Sequence, residues 1–527
     1  MVRMKIKSNR ILGVLLLLMI IGIPIKAFPY NSQSNYQNVL EYGASGKGIN
    51  YDTKAVQDAI DSTFSKGGGT VYFPAGKYLI KTVVLKSNVR LLLDNGTIIL
   101  GSTEMTEFKP EYGSFRDSGG KKFGAALIYA EDAENIAIEG NGTINGQGFK
   151  KYYPNTEEVA RPSIIRFKNC KRVVVKGVTL INSAAWVQHY IQCEDLTISG
   201  VTVNSFSNKN NDGLDIESCK RVYITGCNIN TEDDSIVLKT LGTEPCKDVV
   251  ISDCIIGGLK SAIKTGTESI GNFENITITN CTIYGTRGIN LIAVDGGSIN
   301  NVTISNISMR DSYAVIILRL AERMRPYEVT EAERPKTAGT FKNIMINNVQ
   351  AVNVTESNDF ITGIPGHYIE NVTLSNVRIE YAGGGKKNDS QREIDEMITE
   401  YPKAKMFGIL PSYGLFVRHA KRIYLNNVSF SYMNKDERSV LIFDDVIDVT
   451  INGLTAESNE TASPFIWLKN SKKIKIQNSS PIGKTEIFLK AENTKEITLL
   501  NNELSLSNKY LQTDTQTKKE LIKINNY

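Results

Sequence analysis

Histidine is scarce in this chain: three in 527 residues, His189, His367 and His419, far apart. That excludes an obvious zinc constellation, which draws on clustered His and Cys ligands. Long apolar runs are lacking too. The run from Ile11 to Ile23 is shorter than the roughly 20 apolar residues a spanning helix needs. It follows Arg3, Lys5, Lys7 and Arg10 and precedes Pro24 and a plausible cut after Ala27, so residues 1–27 read as a secretory signal peptide. The expected product is secreted or periplasmic, with no membrane segment beyond that peptide. A charge imbalance is missing as well. The five basic residues of the leader account for the whole formal excess of +5, so the mature chain is near neutral and nothing points to nucleic acid. Finally, seven cysteines is an odd number without a small-domain spacing, which argues against a disulfide framework.

What the chain has in abundance is a repeated phrase. Polar, aliphatic, any, aliphatic, any, then Gly, Asn or Asp begins at Asn135, Arg172, Asp195, Arg221, Asp248, Asn275, Asn301, Asn343, Asn371, Arg422, Asp448, Lys473 and Glu496. The sixth position always carries a residue type that tolerates a left-handed backbone. Each phrase is therefore a short strand ending in a sharp bend. Intervals run from 23 to 51 residues, the signature of a stacked solenoid. Only short strands fit, and the fold expected is all-β, a single-stranded parallel β-helix. Cysteines support this register: Cys170, Cys193, Cys219 and Cys246 lie two residues before successive phrases, and Cys227, Cys254 and Cys281 fall 27 residues apart. Equivalent positions on adjacent coils lie about 4.8 Å apart, so two ladders of buried free thiols are expected.

Because each coil buries its inner face only against its neighbours, residues 28–527 should form one elongated domain, and the expectation is a monomer about 60 Å long. Residues 28–80 read as a cap, with Asp52 and Thr53 starting a helix from about Lys54 to Phe64 and a strand from Thr70 to Phe73. That helix would cover an open strand edge. Residues 323–340 and 382–412 are charged insertions, read as functional loops over one face. The tail beyond Lys509 lacks a phrase and reads as a mobile or small capping segment. Asn-X-Ser/Thr triplets such as Asn275–Thr277 are by-products of the phrase.

One pair of coils is rich in carboxylates: Asn210, Asn211, Asp212, Gly213, Leu214, Asp215, then Glu232, Asp233, Asp234, Ser235. The 21 residues from Asp212 to Asp233 are close to one turn, so Asp212, Asp233 and Asp234 can share an outward surface with Asp215 beside them. Like charges there raise at least one proton affinity, and glycosidic cleavage needs one protonated and one ionised carboxyl. The bland alternatives are turn decoration and a Ca²⁺ site.

These residues resemble glycoside hydrolase family 28, the polygalacturonases and their pectin-degrading relatives. The resemblance rests on Asn211-Asp212-Gly213-Leu214-Asp215, on Asp233-Asp234 and on Gly140–Gly148; Tyr42-Gly43-Ala44 through Gly76-Lys77-Tyr78 resembles the cap of the wider pectate-lyase-like superfamily. It implies a right-handed β-helix and an inverting hydrolase without cofactor or metal, with Asp233 as general acid and Asp212 and Asp234 activating water. The carboxyls would stand about 6.5–9.5 Å apart. Two family motifs are missing. Lys260-Ser261-Ala262 stands where the family carries Gly-His-Gly, and Asn290-Leu291-Ile292 where it carries Arg-Ile-Lys. Gly266–Ser269 and Val294–Gly297 are similar to segments of a divergent bacterial branch.

Replacement cations are sought in Lys239, Lys264 and Arg319, and Glu268 and Asp295, 27 residues apart, form a second acidic row. Trp186 and His189 precede the aspartates by about one coil and are expected to meet the sugar, His189 as a hydroxyl ligand; His419, Arg418 and Tyr413 are candidates for a subsite wall. The expected substrate is an acidic, pectic-type poly- or oligosaccharide, with exo action favoured by the insertions. A polysaccharide lyase or uronate epimerase is the alternative enzyme, and a carbohydrate-binding β-helix the alternative without catalysis.

Overall fold

Both ends of the repeated phrase force the chain to turn. In the computed structural model every sixth position of the thirteen phrases has positive φ, from Gly140 through Asp253 and Asn280 to Asn501. Every first position does too, with φ between 52° and 62°, including Arg172, Arg221, Arg422, Lys473 and Glu496. This second left-handed bend was not expected from residue type, since Arg, Lys and Glu have no special tolerance for it. The inward aliphatics of each phrase and the neighbouring coil hold it there. Asparagine ladders tie the bends together on the outside: Asn301 donates to Asn275, Asn306 to Asn280 and Asn427 to Asn376, at 2.9, 3.0 and 2.8 Å.

The structure describes residues 36–108, 115–116, 122–123, 125–156, 161–325, 333–357, 359–517 and 522–525. The signal-peptide reading lies outside them, as does part of the first insertion. Among the described residues no helix is long and apolar enough to cross a membrane.

Among the described residues 39 strands join in parallel into one sheet, each pairing with its counterpart one coil away, as in Val222↔Val249 and Val249↔Ile276. This is a parallel β-helix. A single core of buried Ile, Val, Leu and Phe runs through it from Val39 to Leu499. All seven cysteines are free and buried inside that core, and stacking is direct, with Cys193 N donating to Cys219 Sγ at 3.3 Å.

The helix Thr53–Ser65 packs Val56, Ala59 and Ile60 onto the first coils. Asp52 does not cap it with its side chain; it accepts instead from Ser45 N at 2.6 Å, fastening the preceding loop. Of the two readings of the tail, the described strands fit a small capping segment: Ser507–Thr513 and Ile522–Asn525 extend the stack by pairing with Thr485–Glu492 and Lys495–Leu500.

The second insertion is not an open loop. On one outward face the file Ile317, Phe360, Phe416, Ile442, Trp467 is apolar, and Ala404, Met406, Phe407 and Leu410 of the insertion bury it. Farther up the same file the residues become Lys264, Val237, Asp215, His189 and Arg166. The insertion thus ends where the polar stretch begins, which gives the cleft a wall.

Candidate active site

Three successive coils bring the aspartates together through backbone pairing. Leu214 pairs with Ile236 and Ile236 with Ile263; just before these strands Gly213 N donates to Asp234 O at 2.9 Å and Ser235 N to Ser261 O at 2.9 Å. Asp212, Asp234 and Ser261 therefore form one file, and Asp233 projects beside it. The coil offset is 22 residues, so Asp212 is in register with Asp234 and not with Asp233 as the sequence spacing suggested. Gly213 is required here by space: a Cβ would lie 2.5 Å from Ser235 O and 2.9 Å from Ile229 Cγ2. Asn211 fixes the turn, accepting from Ser205 Oγ at 2.8 Å and donating to Ser183 O and Ala185 O at 3.1 and 3.2 Å.

One carboxylate oxygen from each of Asp212, Asp233 and Asp234 lies within 4.8 Å of the others. The expected separation of about 6.5–9.5 Å is therefore not what the fold provides, because stacked coils bring equivalent side chains to one strand spacing. The three differ in environment. Asp234 accepts from Ser261 N at 2.8 Å and from Lys264 Nζ at 2.7 Å. Burial alone would raise its pKa, but Lys264 and the Ser261 contacts outweigh it and hold the carboxyl below its ordinary value. Asp233 is pushed up to about 6 by burial and by the charge of Asp234, with Lys264 opposing. Asp212 is driven well above the usual range by burial and then by Asp215 and Asp233, and its buried Oδ1 has no hydrogen-bond partner. The cluster thus sets one carboxyl of lowered proton affinity, Asp234, next to two of raised affinity, Asp233 and Asp212.

Two cavities open on this group. One, of about 150 Å³, is lined by Trp186, Asn210, Asp212, Lys239, Thr267, Glu268 and Arg325; the other, of about 280 Å³, by Lys260, Ser261, Arg287, Asn290, Lys403 and their neighbours. Asp233, Asp234, Lys264 and Tyr401 line both. Lys264 stands beside Asp234 where the motif histidine is missing. Tyr401, Lys403, Arg287 and Arg325 escaped sequence reasoning, since insertion and turn residues carry no phase of the repeat; Tyr401 is an exposed aromatic at the mouth.

The remaining expectations divide. Lys239 and Glu268 reach the cavity, ion-paired at 3.4 Å, with Lys239 also 3.2 Å from Asp215. Asp215 itself is buried below the floor and pushed up to about 7, by burial against the pull of Lys239. Trp186 is only 3% exposed and has the Lys239 ammonium 3.7 Å from its ring centroid, so its face is not offered to a sugar. His189 does not meet the cleft. It is fully buried, accepting at Nδ1 from Arg166 Nε at 3.2 Å and facing Glu217 at 2.8 Å through Nε2. Burial, then Arg166 and Lys239, hold it neutral with a pKa well below the ordinary value. Asp295 is likewise internal, gripped by Arg323 at 3.0 and 2.6 Å.

Arg319 is the clearest correction. Its guanidinium donates to Thr362 Oγ1, Gly363 O, Glu396 O and Met397 O at 3.2, 3.1, 2.7 and 2.9 Å, fully buried and away from both cavities. Arg418 takes Ile394 O and Asp395 O in the same way, and His419 bridges Asp445 and Glu396 at 2.7 and 3.0 Å. These residues fasten the insertion whose far end forms the cleft wall. Tyr413 is buried and donates to Glu457 O at 2.6 Å.

Comparison with known proteins bears on the family and the fold. Residues 67–400 match the family described as glycosyl hydrolases family 28. A probable polygalacturonase of Vitis vinifera is 28% identical over 235 residues, 42% of this chain and 48% of that protein; the chain spans about half the length of the first curated relatives it matches. Among solved structures, the family 28 exopolygalacturonase of Yersinia enterocolitica superposes with a TM-score of 0.64 at 21% identity, covering 79% of this chain and 78% of that one. The exopolygalacturonase of Thermotoga maritima gives 0.60 at 22%, covering 75% and 91%. These two share the fold. With the family match extending over more than half its length, the chain belongs to glycoside hydrolase family 28.

Proposed function

We propose that this protein is a secreted glycoside hydrolase acting on acidic, pectic-type poly- or oligosaccharides, as a monomer and from a chain end. The observation that carries the reading is the carboxyl trio at the floor of a cleft, with Asp233 and Asp234 separated in proton affinity by Lys264. Asp233 passes its proton to the glycosidic oxygen as the C1–O bond breaks. Water attacks C1 and gives its proton to Asp234, with Asp212 as a second partner of that water. Atoms balance as one water added per bond, and no step is routed through a metal. Lysines at the cleft balance the charge of the substrate. The names of relatives, polygalacturonase and exopolygalacturonase, support the substrate class, and the insertion that closes one end of the cleft supports end-directed cleavage.

The close carboxyl spacing favours one rival, a double displacement in which an aspartate is the nucleophile, for which about 5–5.5 Å is usual. Proton NMR of the first product formed from a pectic oligosaccharide decides between them. Inverted anomeric configuration supports single displacement, and retained configuration supports the rival. Products that carry a new unsaturated, ultraviolet-absorbing non-reducing end for each bond cleaved would mean a lyase and overturn both.

A further inference from the structure

The two cavities that meet at Asp233 carry different charge. Beyond the shared residues, the larger is lined by Lys260, Arg287 and Lys403 and by no carboxyl group. Among the described residues none of these three has an ion-pair partner closer than 4 Å. Lys260 and Arg287 are half-buried and Lys403 is exposed. The smaller cavity opposes Lys239 and Arg325 with Glu268 and Asp212. Lys239 is already held between Asp215 and Glu268 at 3.2 and 3.4 Å, and its ammonium lies over Trp186. A sugar carboxylate placed there would meet Asp212 and Glu268 in addition to the shared Asp233 and Asp234, with Arg325 the one cation beyond the shared Lys264 that no carboxylate pairs with among the described residues. In the larger cavity it would meet three uncommitted cations.

From this partition we propose that the enzyme cleaves the linkage between an acidic and a neutral sugar, with the uronate seated against Lys260, Arg287 and Lys403 and the neutral sugar beside Glu268, Asn210 and Thr267. The proposal rests on the hydrolase reading above and refines its substrate. The carboxylate recognised is that of a hexuronate, and the neutral partner is a sugar presenting hydroxyls only. Neutral hydroxyls suit Glu268, Asn210 and Thr267, which offer hydrogen-bonding groups without net attraction for an anion. Three cations facing one carboxylate supply the charge that the absent Arg-Ile-Lys would have carried, from Lys260 and Arg287 on adjacent coils and Lys403 on the insertion.

The test uses the full chain and two pectic oligosaccharide sets of equal length, one of galacturonate alone and one alternating galacturonate with a neutral sugar. The alternating set is expected to give a kcat/KM at least about tenfold higher. In a Lys260→Gln, Arg287→Gln double variant, KM for it rises about tenfold with kcat within about threefold, the split expected when binding shared by ground and transition states is lost. Glu268→Gln raises kcat/KM for the all-galacturonate set. Calorimetric titration of both sets into the Asp233→Asn protein checks binding without turnover, and circular dichroism checks that each variant is folded. Preference for the all-galacturonate set, or an unchanged KM in the double variant, overturns the inference and leaves the hydrolase reading intact. A strong loss of all-galacturonate cleavage in Arg325→Gln would show a second carboxylate seat and also overturn it. No cleavage of either set fails the hydrolase reading itself.

Discussion

Replacing Asp233 with Asn should make the protein inactive and, at neutral pH, more stable. The side chain keeps its size and can still accept from Asp234 N, now at 3.0 Å, but it loses both its proton and its charge. Burial and Asp234 raise the folded pKa to about 6 from 3.8. A raised carboxyl pKa means that the folded state prefers the protonated form, so the group's contribution is fully present below pH 3.8 and is lost as pH climbs through about 6. At pH 7 the charged side chain therefore costs the fold about 2–3 kcal/mol, at 1.36 kcal/mol for each tenfold change in proton affinity. Asn removes that cost. Urea-unfolding midpoints should be higher for the variant at pH 7 and equal to the parent at pH 4, where both side chains are neutral. Reducing-end assays should show a rate lower by about 10²–10⁴, the usual loss of a general acid. A variant that is less stable at pH 7, that gains as much at pH 4, or that stays active would refute the account of the cluster.

The same site predicts the pH limbs of activity. Asp233 must be protonated, so activity should fall as pH rises through about 6, while Asp234, held low by Lys264, keeps the acid side active. Lys264→Met should move the acid limb to higher pH and lower kcat by about 100-fold; an unshifted pH–rate profile would contradict this. Arg319→Ala deprives the insertion of a buried guanidinium that ties three backbone carbonyls and a threonine. A loss of about 2–4 kcal/mol and new protease cuts within residues 382–412 are expected, and an equally resistant loop would count against the fastening role. All seven thiols should resist a thiol reagent in the native protein and react after denaturation, since each is buried in the coil core; fast native labelling would refute the ladder packing.

The repeat made most of the architecture legible. Each Gly, Asn or Asp at the sixth position marks a bend that the backbone can take only with a few residue types, and all thirteen bends are where the phrase puts them. The aspartates were legible for a related reason: coil length converts a spacing near one turn into neighbours in space. Errors arose where a side chain's direction mattered. His189 and Asp215 share the outward file with Lys264, yet Arg166, Glu217 and Lys239 cover them from neighbouring coils. Arg319 was placed on the correct face, but the insertion that covers it comes from 77 residues later in the chain.

Local backbone preference and the burial period are written in every phrase, so the sequence alone determined the coil, its register to within a residue and the meeting of Asp212, Asp233 and Asp234. Which carboxyl keeps a proton, which cations stay uncommitted and what closes the cleft depend on contacts between segments tens of residues apart. Proton affinity follows from distance to Lys264 and from exclusion of water, and neither distance nor burial exists until Tyr401, Lys403 and the apolar residues after them settle onto the face of the sheet.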